Sequence, residues 1–281
     1  MIDVKNVSYT YMSGGPFETA ALKNVSLSLT DGAFIGLMGH TGSGKSTLVQ
    51  IIGGLEKPTE GSVVIDGQTL HSKECDMRAM RFKIGLVMQY PEYQLFEETV
   101  FRDIAFGPTN MGLSEQEIRD RVELAADLAG VKRELLEKSP FELSGGQKRR
   151  AAIAGILAMQ PKILILDEPT AGLDPAGREE LLHKIRDLHK RLGITVLFVS
   201  HSMEDIASMA DRIIVMNRGE AVMNGRPGEI FSRAEQLRGM GLSVPGITDI
   251  CDGLRKRGMP LPGGIYTMDR AVSEIERLLK K

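Results

Sequence analysis

The feature that most constrains this chain is an apolar run that leads directly into a glycine-rich loop. Residues 33–38 are almost entirely apolar, which is typical of a central strand covered on both faces. The loop at 39–47 follows, and apolar residues then recur at helical spacing over 48–52. The sequence therefore predicts a buried strand, a tight loop at its carboxyl end and a helix that begins in the loop.

The loop matches the pattern G-x-x-x-x-G-K-S/T between Gly39 and Ser46. Glycines allow successive backbone N–H groups to turn inward around phosphate oxygens, and the following helix adds its positive end. A chain of this length would match by accident about 1% of the time at average residue usage. Lys45 would reach the β- and γ-phosphates, and the Ser46 hydroxyl would bind Mg²⁺. The predicted phosphate-binding residues are Gly39, His40, Thr41, Gly42, Ser43, Gly44, Lys45, Ser46 and Thr47.

Three further apolar runs predict core strands, at 83–89, 162–167 and 194–201. Helix-periodic stretches at 114–129 and 177–192 lie between them. Strands that alternate with helices in this way are typical of a parallel sheet, so the fold class is expected to be α/β.

The remaining segments predict additions to this sheet. Period-two alternation at the start of the chain indicates an N-terminal antiparallel β subdomain. Residues 90–160 carry helical patterns without a strong strand, which predicts a helical insertion. Glycine and proline become frequent beyond residue 225, and we expect a small C-terminal extension at 226–281 with helices near 247–257 and 267–280.

Charge and hydropathy exclude some classes of partner and topology. The formal net charge is −2, so an anion must be bound at a local site, and nucleic acid is not an expected partner. The longest apolar runs are shorter than the ~18–20 residues that a membrane-spanning helix needs.

Two more motifs contain residues suited to chemistry. Asp167 and Glu168 end the strand at 162–167, where Asp167 would contact Mg²⁺ through water and Glu168 would polarise an attacking water. The second motif reads Leu-Ser-Gly-Gly-Gln at 143–147: Ser144 would cap a helix, and the two glycines would expose its N–H groups as a second anion site. The residues expected at that second site are Ser144, Gly145, Gly146 and Gln147.

Together these motifs resemble the ATP-binding-cassette (ABC) ATPase family over about residues 1–230. The resemblance implies a P-loop NTPase core over 1–225, with the helical subdomain at about 90–160. It identifies a Walker A loop at 39–47, a Q-loop at Gln89, a signature at 143–147, a Walker B strand at 163–168, a D-loop at 171–174 and a switch histidine, His201.

The same resemblance implies roles for several residues. Catalysis would fall to Glu168, His201 and Gln89, and Mg²⁺ would be held by Ser46, Gln89 and Asp167. Tyr11 would stack on adenine, and Asp174 would link two sites across a dimer in which the signature of one chain faces the P-loop of the other.

A narrower resemblance points to the ATPase subunits of energy-coupling factor (ECF) transporters, which import vitamins or transition-metal ions. It rests on residues 89–100 and 103–108, and on the tail at 244–248 and 254–258, which is similar to that family's dimerising extension. The segments at 39–43 and 139–142 resemble the A2-type subunit. The implied partners are an A1-type ATPase, a transmembrane coupling subunit and a substrate-binding S component, with this chain on the cytoplasmic side of the cell membrane.

Other interpretations remain open from the sequence. They are the ATPase of another ABC importer, a soluble cassette acting on DNA or ribosomes, and a nucleotide-sensing scaffold that does not hydrolyse ATP. Glu92, Glu97 and Glu98 lie in an aromatic stretch after Gln89, and they would form either a solvated loop or a dock for a basic helix of a membrane subunit.

Overall fold

The computed structural model describes residues 1–280 and contains ten strands in that range. In chain order they are β1 (Ile2–Tyr11), β2 (Thr19–Leu29), β3 (Phe34–Met38), β4 (Glu60–Ile65), β5 (Gln68–Thr69), β6 (Ile84–Val87), β7 (Ile163–Asp167), β8 (Thr195–Val199), β9 (Arg212–Asn217) and β10 (Glu220–Gly225). The strands form a six-stranded and a four-stranded sheet. The predicted α/β fold class is therefore confirmed.

The larger sheet has the order β10-β9-β3-β8-β7-β6. Its neighbours are parallel except for the antiparallel pair β9 and β10 at one edge. Every residue of β3, β7 and β8 is buried, as expected for strands covered on both faces. The sequence prediction of β3, β6, β7 and β8 is confirmed, whereas β9 and β10 were not predicted.

The smaller sheet has the order β2-β1-β4-β5 and is antiparallel throughout. Alternate residues of β1 and β2, such as Ile2, Val4 and Leu27, enter one hydrophobic core together with the first helix of the chain. This sheet therefore covers the helix that follows the glycine-rich loop, and it brings the end of β1 beside that helix.

The helices cover both faces of the larger sheet and continue into the C-terminal part. They are α1 (Lys45–Ile52), α2 (Met77–Lys83), α3 (Val100–Asn110), α4 (Glu115–Ala129), α5 (Gly145–Leu157), α6 (Pro175–Leu192), α7 (Met203–Met209), α8 (Pro227–Phe231), α9 (Ala234–Gly239), α10 (Gly246–Lys256) and α11 (Met268–Leu279), with 3-10 helices at Pro91–Gln94, Arg133–Leu135 and Pro140–Glu142. No helix within residues 1–280 has the length and apolar character required to cross a bilayer.

Helices α3, α4 and α5 pack on one another, and their apolar faces join the core beneath the larger sheet. Ser114 begins α4 with a capping box, and Gly130 ends it in the left-handed conformation. The helical patterns seen in this part of the sequence therefore correspond to real helices.

The C-terminal part divides into two packing units. Helices α8 and α9, which were not predicted, place Ile230, Phe231 and Leu237 in the core of the main body. Helices α10 and α11 match the two predicted helices and surround a separate small core. That core consists of Cys251, Leu261, Ile265 and Ala271.

Candidate nucleotide-binding site

The loop Gly39–Thr47 connects β3 to α1 and requires its glycines. Gly42 and Gly44 have φ angles of 79° and 99°, a backbone region that favours glycine. A Cβ on Gly39 would lie 2.5 Å from both the Met216 carbonyl oxygen and Ser43 Oγ. At Gly39 the loop packs closely against the rest of the protein, and at Gly42 and Gly44 its backbone conformation favours glycine.

Lys45 and Ser43 hold the interior of the loop. Lys45 Nζ donates hydrogen bonds to the carbonyl oxygens of Gly39 at 2.7 Å and His40 at 3.1 Å. Burial lowers the pKa of the Lys45 ammonium, while the charges of Glu168 and Asp167 act in the opposite direction. Ser43 Oγ is fully buried and has no hydrogen-bond partner among residues 1–280. A buried ammonium beside an unpaired hydroxyl is suited to an anion that enters the loop.

The other loop residues line the approach to it. His40 contacts the Thr41 carbonyl oxygen through Nδ1 at 2.7 Å and Asn217 Oδ1 through Nε2 at 3.1 Å. Ser46 is exposed in the first turn of α1, so its hydroxyl is free to face a ligand. Thr47 is buried instead, and its Oγ1 lies 3.1 Å from the hydroxyl of Tyr11.

Tyr11 ends β1 close to this loop. Its ring meets the ring of Tyr9 edge to face, with 4.8 Å between centroids, and 39% of the residue is exposed. The hydroxyl is anchored on Thr47 while the ring remains accessible, as a platform for a nucleobase requires.

Asp167 and Glu168 lie at the carboxyl end of β7. Asp167 is buried, and burial raises its pKa against the lowering effect of Lys45. Burial raises the pKa of Glu168 to about 7, a backbone hydrogen bond from His201 opposes this rise, and the neighbouring Asp167 charge adds to it. Glu168 also has a φ of 50°, so the chain leaves the strand through a left-handed residue.

His201, the expected switch residue, follows β8 and faces Glu168. Its Nε2 lies 3.4 Å from Glu168 Oε1, but the two atoms are not aligned for a hydrogen bond. Burial lowers the pKa of His201, and the Lys45 charge lowers it further. At neutral pH the imidazole is therefore uncharged, with one nitrogen able to donate and the other to accept.

Sheet register explains why these distant residues meet. Leu37 of β3 pairs with Val199 of β8, and Val199 pairs with Asp167 of β7. Gln89 is exposed and comes two residues after β6, which is the next parallel strand. The carboxyl ends of all four strands lie at one edge, the usual place for a ligand in an open α/β sheet.

The signature residues form a separate surface. Ser144 caps α5 by accepting a hydrogen bond from the Gln147 N–H, and the Gln147 side chain accepts one from the Ser144 N–H at 2.9 Å. A Cβ on Gly145 would meet no atom within 4 Å, so packing within this chain does not require glycine there. Gly146 is nearly as open, with only a side-chain atom of Arg150 at 4.0 Å.

Within residues 1–280, Ser144 and Gln147 form hydrogen bonds only with each other and along α5. The structure brings Lys45, Asp167, Glu168 and His201 together but leaves the signature outside this group. Asp174 is likewise exposed, and it caps α6 by accepting a hydrogen bond from the Gly177 N–H at 2.7 Å.

One residue of this region was missed in the sequence. Arg149 is 3% exposed and forms a bidentate pair with Glu92, with Nη2–Oε1 and Nε–Oε2 distances of 2.8 and 3.0 Å. The idea that Glu92 offers its charge to a membrane subunit is therefore wrong, because an internal arginine occupies its carboxylate. The sequence does not distinguish Arg149 from Arg150, which follows it on the same helix. Only the packing of the folded protein shows that Arg149 is the buried one.

Comparison with known proteins agrees with this geometry. A family model described as ABC transporter matches residues 22–171. The chain is 56% identical over 279 residues to the energy-coupling factor transporter ATP-binding protein EcfA2 of Caldanaerobacter subterraneus subsp. tengcongensis, covering 99% of this chain and 98% of that protein. It is 50% identical over 280 residues to the protein of the same name from Clostridium perfringens, covering 99% and 98%.

Solved structures show the same architecture. The structure of cbiO1 from Clostridium perfringens, described as part of the ABC transporter complex cbiONQ, has a TM-score of 0.76 and 38% identity, covering 89% of this chain and 98% of that one. The cassette MJ0796, solved as a dimer bound to ADP and phosphate, has a TM-score of 0.72 and 34% identity, covering 80% and 98%.

The glycine-rich loop, the acidic end of β7 and the sheet order define a P-loop nucleotide-binding protein. The chain belongs to the ABC transporter family of ATP-binding cassettes. Its resemblance to A2-type ECF ATPases is confirmed over nearly its whole length.

Proposed function

We propose that this chain hydrolyses ATP to ADP and phosphate as the motor subunit of an ECF importer for vitamins or transition-metal ions. The observation that carries the proposal is the cluster of Lys45, Asp167, Glu168 and His201 at one sheet edge, in a chain similar over its full length to ECF ATP-binding proteins. The resemblance to those proteins supports the importer, and the cluster supports hydrolysis.

Each residue of the cluster has a chemical role in this proposal. Lys45 and the loop N–H groups hold the phosphates, while Tyr11 stacks on the adenine. Glu168 orients the attacking water and takes its proton, for which a pKa of about 7 is well matched near neutral pH. Neutral His201 donates a hydrogen bond to the γ-phosphate as charge develops there.

A magnesium ion fits the oxygen donors at this edge. The hydroxyl of Ser46, the amide oxygen of Gln89 and the carboxylate of Asp167 are ligands of the type that Mg²⁺ prefers. Asp167 is buried, and burial raises the pKa of its carboxyl, so a cation beside it would stabilise the charged form. When bound, the ion would neutralise phosphate charge.

The open signature supports a site built from two chains. Gly145 and Gly146 leave the N-terminus of α5 uncovered, and a second cassette would present its nucleotide there. We propose that the second cassette is a related A1-type ATPase, which makes the assembly a heterodimer. Asp174 would then connect the two sites across the interface.

The C-terminal extension would add a second contact between the cassettes. Helices α10 and α11 leave Ile250, Met268, Val272 and Leu279 exposed, with between 47% and 76% of each residue accessible. These apolar side chains lie beside the small separate core, and pairing with a similar extension would bury them.

A groove beside the helical region would receive the membrane subunit. Phe96 and Phe106 pack edge to face at 5.0 Å, remain about half exposed, and line a cavity of about 280 Å³ together with Leu95 and Met159. Asp103 fixes this segment by accepting hydrogen bonds from the N–H groups of Phe96 and Glu97. An apolar helix of a transmembrane coupling subunit would fit this groove, with the S component beyond it, and the chain would lie peripherally on the cytoplasmic side of the cell membrane.

The test combines phosphate release with co-purification from detergent-solubilised membranes. The proposal predicts a transmembrane subunit and a second cassette among the co-purified proteins, and phosphate release that Lys45→Ala abolishes. Isolation without membrane proteins, with hydrolysis stimulated instead by DNA or ribosomes, would identify a non-transport cassette. Nucleotide binding without phosphate release would identify a sensing scaffold.

A further inference from the structure

The side chain of Arg149 joins three segments that surround the candidate site. Besides its pair with Glu92, its Nη1 donates to the carbonyl oxygens of Pro169 at 3.1 Å and Ala171 at 2.7 Å. Four N–H donors of one guanidinium are therefore used, on two sides of the group. The pair is almost entirely removed from solvent, with side-chain exposures of 4% for Arg149 and 15% for Glu92.

The carbonyl contacts fall on the turn that immediately follows Glu168. This turn contains two residues with positive φ, Glu168 and Gly172, and closes through the hydrogen bond from the Ala171 N–H to the Glu168 carbonyl oxygen. A turn of this kind directs the Glu168 carboxylate, whose Oε1 is buried without a hydrogen-bond partner among residues 1–280. The direction of that carboxylate thus depends on what holds the turn.

The other contacts of Arg149 come from outside the turn. Arg149 itself belongs to α5, the helix that begins with the signature, and Glu92 belongs to the 3-10 helix that follows Gln89. Arginine suits this place because its planar fork reaches a carboxylate on one edge and carbonyl oxygens on another, which the single ammonium of lysine cannot do.

We infer that Arg149 is a positioning residue for hydrolysis, which fixes the turn after Glu168 to the signature helix and to the segment after Gln89. A displacement of either segment is then transmitted to the Glu168 carboxylate through one rigid group. The role of Arg149 rests on the proposed hydrolysis by Glu168, and it goes beyond that proposal because Arg149 contacts neither the loop nor the acidic pair.

The test measures kcat and KM for ATP, nucleotide affinity and thermal stability in the full chain with its partner cassette. Arg149→Lys keeps the charge and loses the fork, and we expect kcat to fall about 10- to 100-fold while KM and the nucleotide Kd stay within about threefold. Arg150→Lys is the matched control: Arg150 is the next residue of α5, and its contact with Glu180 at 3.6 Å lies at the surface. It should retain activity within about twofold.

A double variant separates positioning from folding. Arg149→Met with Glu92→Leu removes both charges, so no uncompensated charge remains buried and the double variant should be more stable than Arg149→Met alone. Because the Pro169 and Ala171 carbonyl oxygens still lack their donor, kcat should remain low. Recovery of kcat together with stability would overturn the inference, as would an equal loss of kcat and nucleotide affinity in Arg149→Lys. If the wild type itself releases no phosphate, the proposed function fails instead.

Discussion

Because the pKa of Glu168 is raised, we expect the stability of the nucleotide-free protein to depend on pH. The folded-state pKa is about 7 against an ordinary value of 4.5, so the folded protein holds this proton more tightly than the unfolded chain. The contribution to stability is fully present below about pH 4.5 and is lost as the pH rises through about 7. Charged Glu168 therefore destabilises the protein in alkaline solution.

The size of the effect follows from the gap between the two values. A pKa difference of 7 − 4.5 = 2.5 units means that ionisation of Glu168 destabilises the folded protein by roughly 3 kcal/mol at about pH 8. At about pH 5 the same destabilisation is less than about 1 kcal/mol. Glu168→Gln removes the charge at every pH. The gain in free energy of unfolding from this substitution should thus be roughly 2 to 3 kcal/mol larger at the higher pH.

Urea unfolding of the nucleotide-free protein at the two pH values measures this difference. The pH-dependent part of the change is the informative quantity, because any packing difference between Gln and Glu is the same at both. Glu137→Gln, the same chemical change at an exposed loop position, is the control and should leave the pH dependence of stability unaltered. A Glu168→Gln variant whose stability parallels the wild type at both pH values would refute the burial argument.

Three further predictions concern the nucleotide and the signature. Lys45→Ala should weaken nucleotide binding at least tenfold in a fluorescent-ATP titration, because the loop loses its buried cation; undiminished affinity would contradict the phosphate role. Tyr11→Phe should bind nucleotide nearly as well as the wild type, while Tyr11→Ala should lose about 1 kcal/mol or more, and equal affinities would argue against stacking. Ser144→Ala should cost about 1 kcal/mol of stability through loss of the helix cap, and it should reduce hydrolysis without weakening nucleotide binding by the isolated chain.

Much of the fold could be predicted because its central strands are continuously apolar. Residues of β3, β7 and β8 are buried on both faces, and this leaves a strong mark in the sequence. Strands β4, β5 and β10 mix exposed and buried residues over short lengths, and helices α8 and α9 have five and six residues, so their patterns are weak. Strand β9 was missed although residues 213–216 form a continuous apolar run that is buried in the sheet.

The candidate site was predictable where its residues are adjacent in sequence, as in the loop at 39–47 and the pair Asp167 and Glu168. The pair of Arg149 and Glu92 joins residues 57 positions apart, and no local pattern distinguishes Arg149 from Arg150. The raised pKa of Glu168 could not be predicted from the sequence either, because it results from burial of the carboxyl group at the edge of the sheet.

The central claim is that hydrolysis needs the signature of a second cassette facing the loop of the first. The most direct measurement is the rate of phosphate release per cassette as the protein is diluted, with light scattering to report the oligomeric state. The rate should fall as monomers accumulate, and Ser144→Ala should lower it before dilution begins. Full activity in a strictly monomeric sample, unaffected by Ser144→Ala, would contradict the claim.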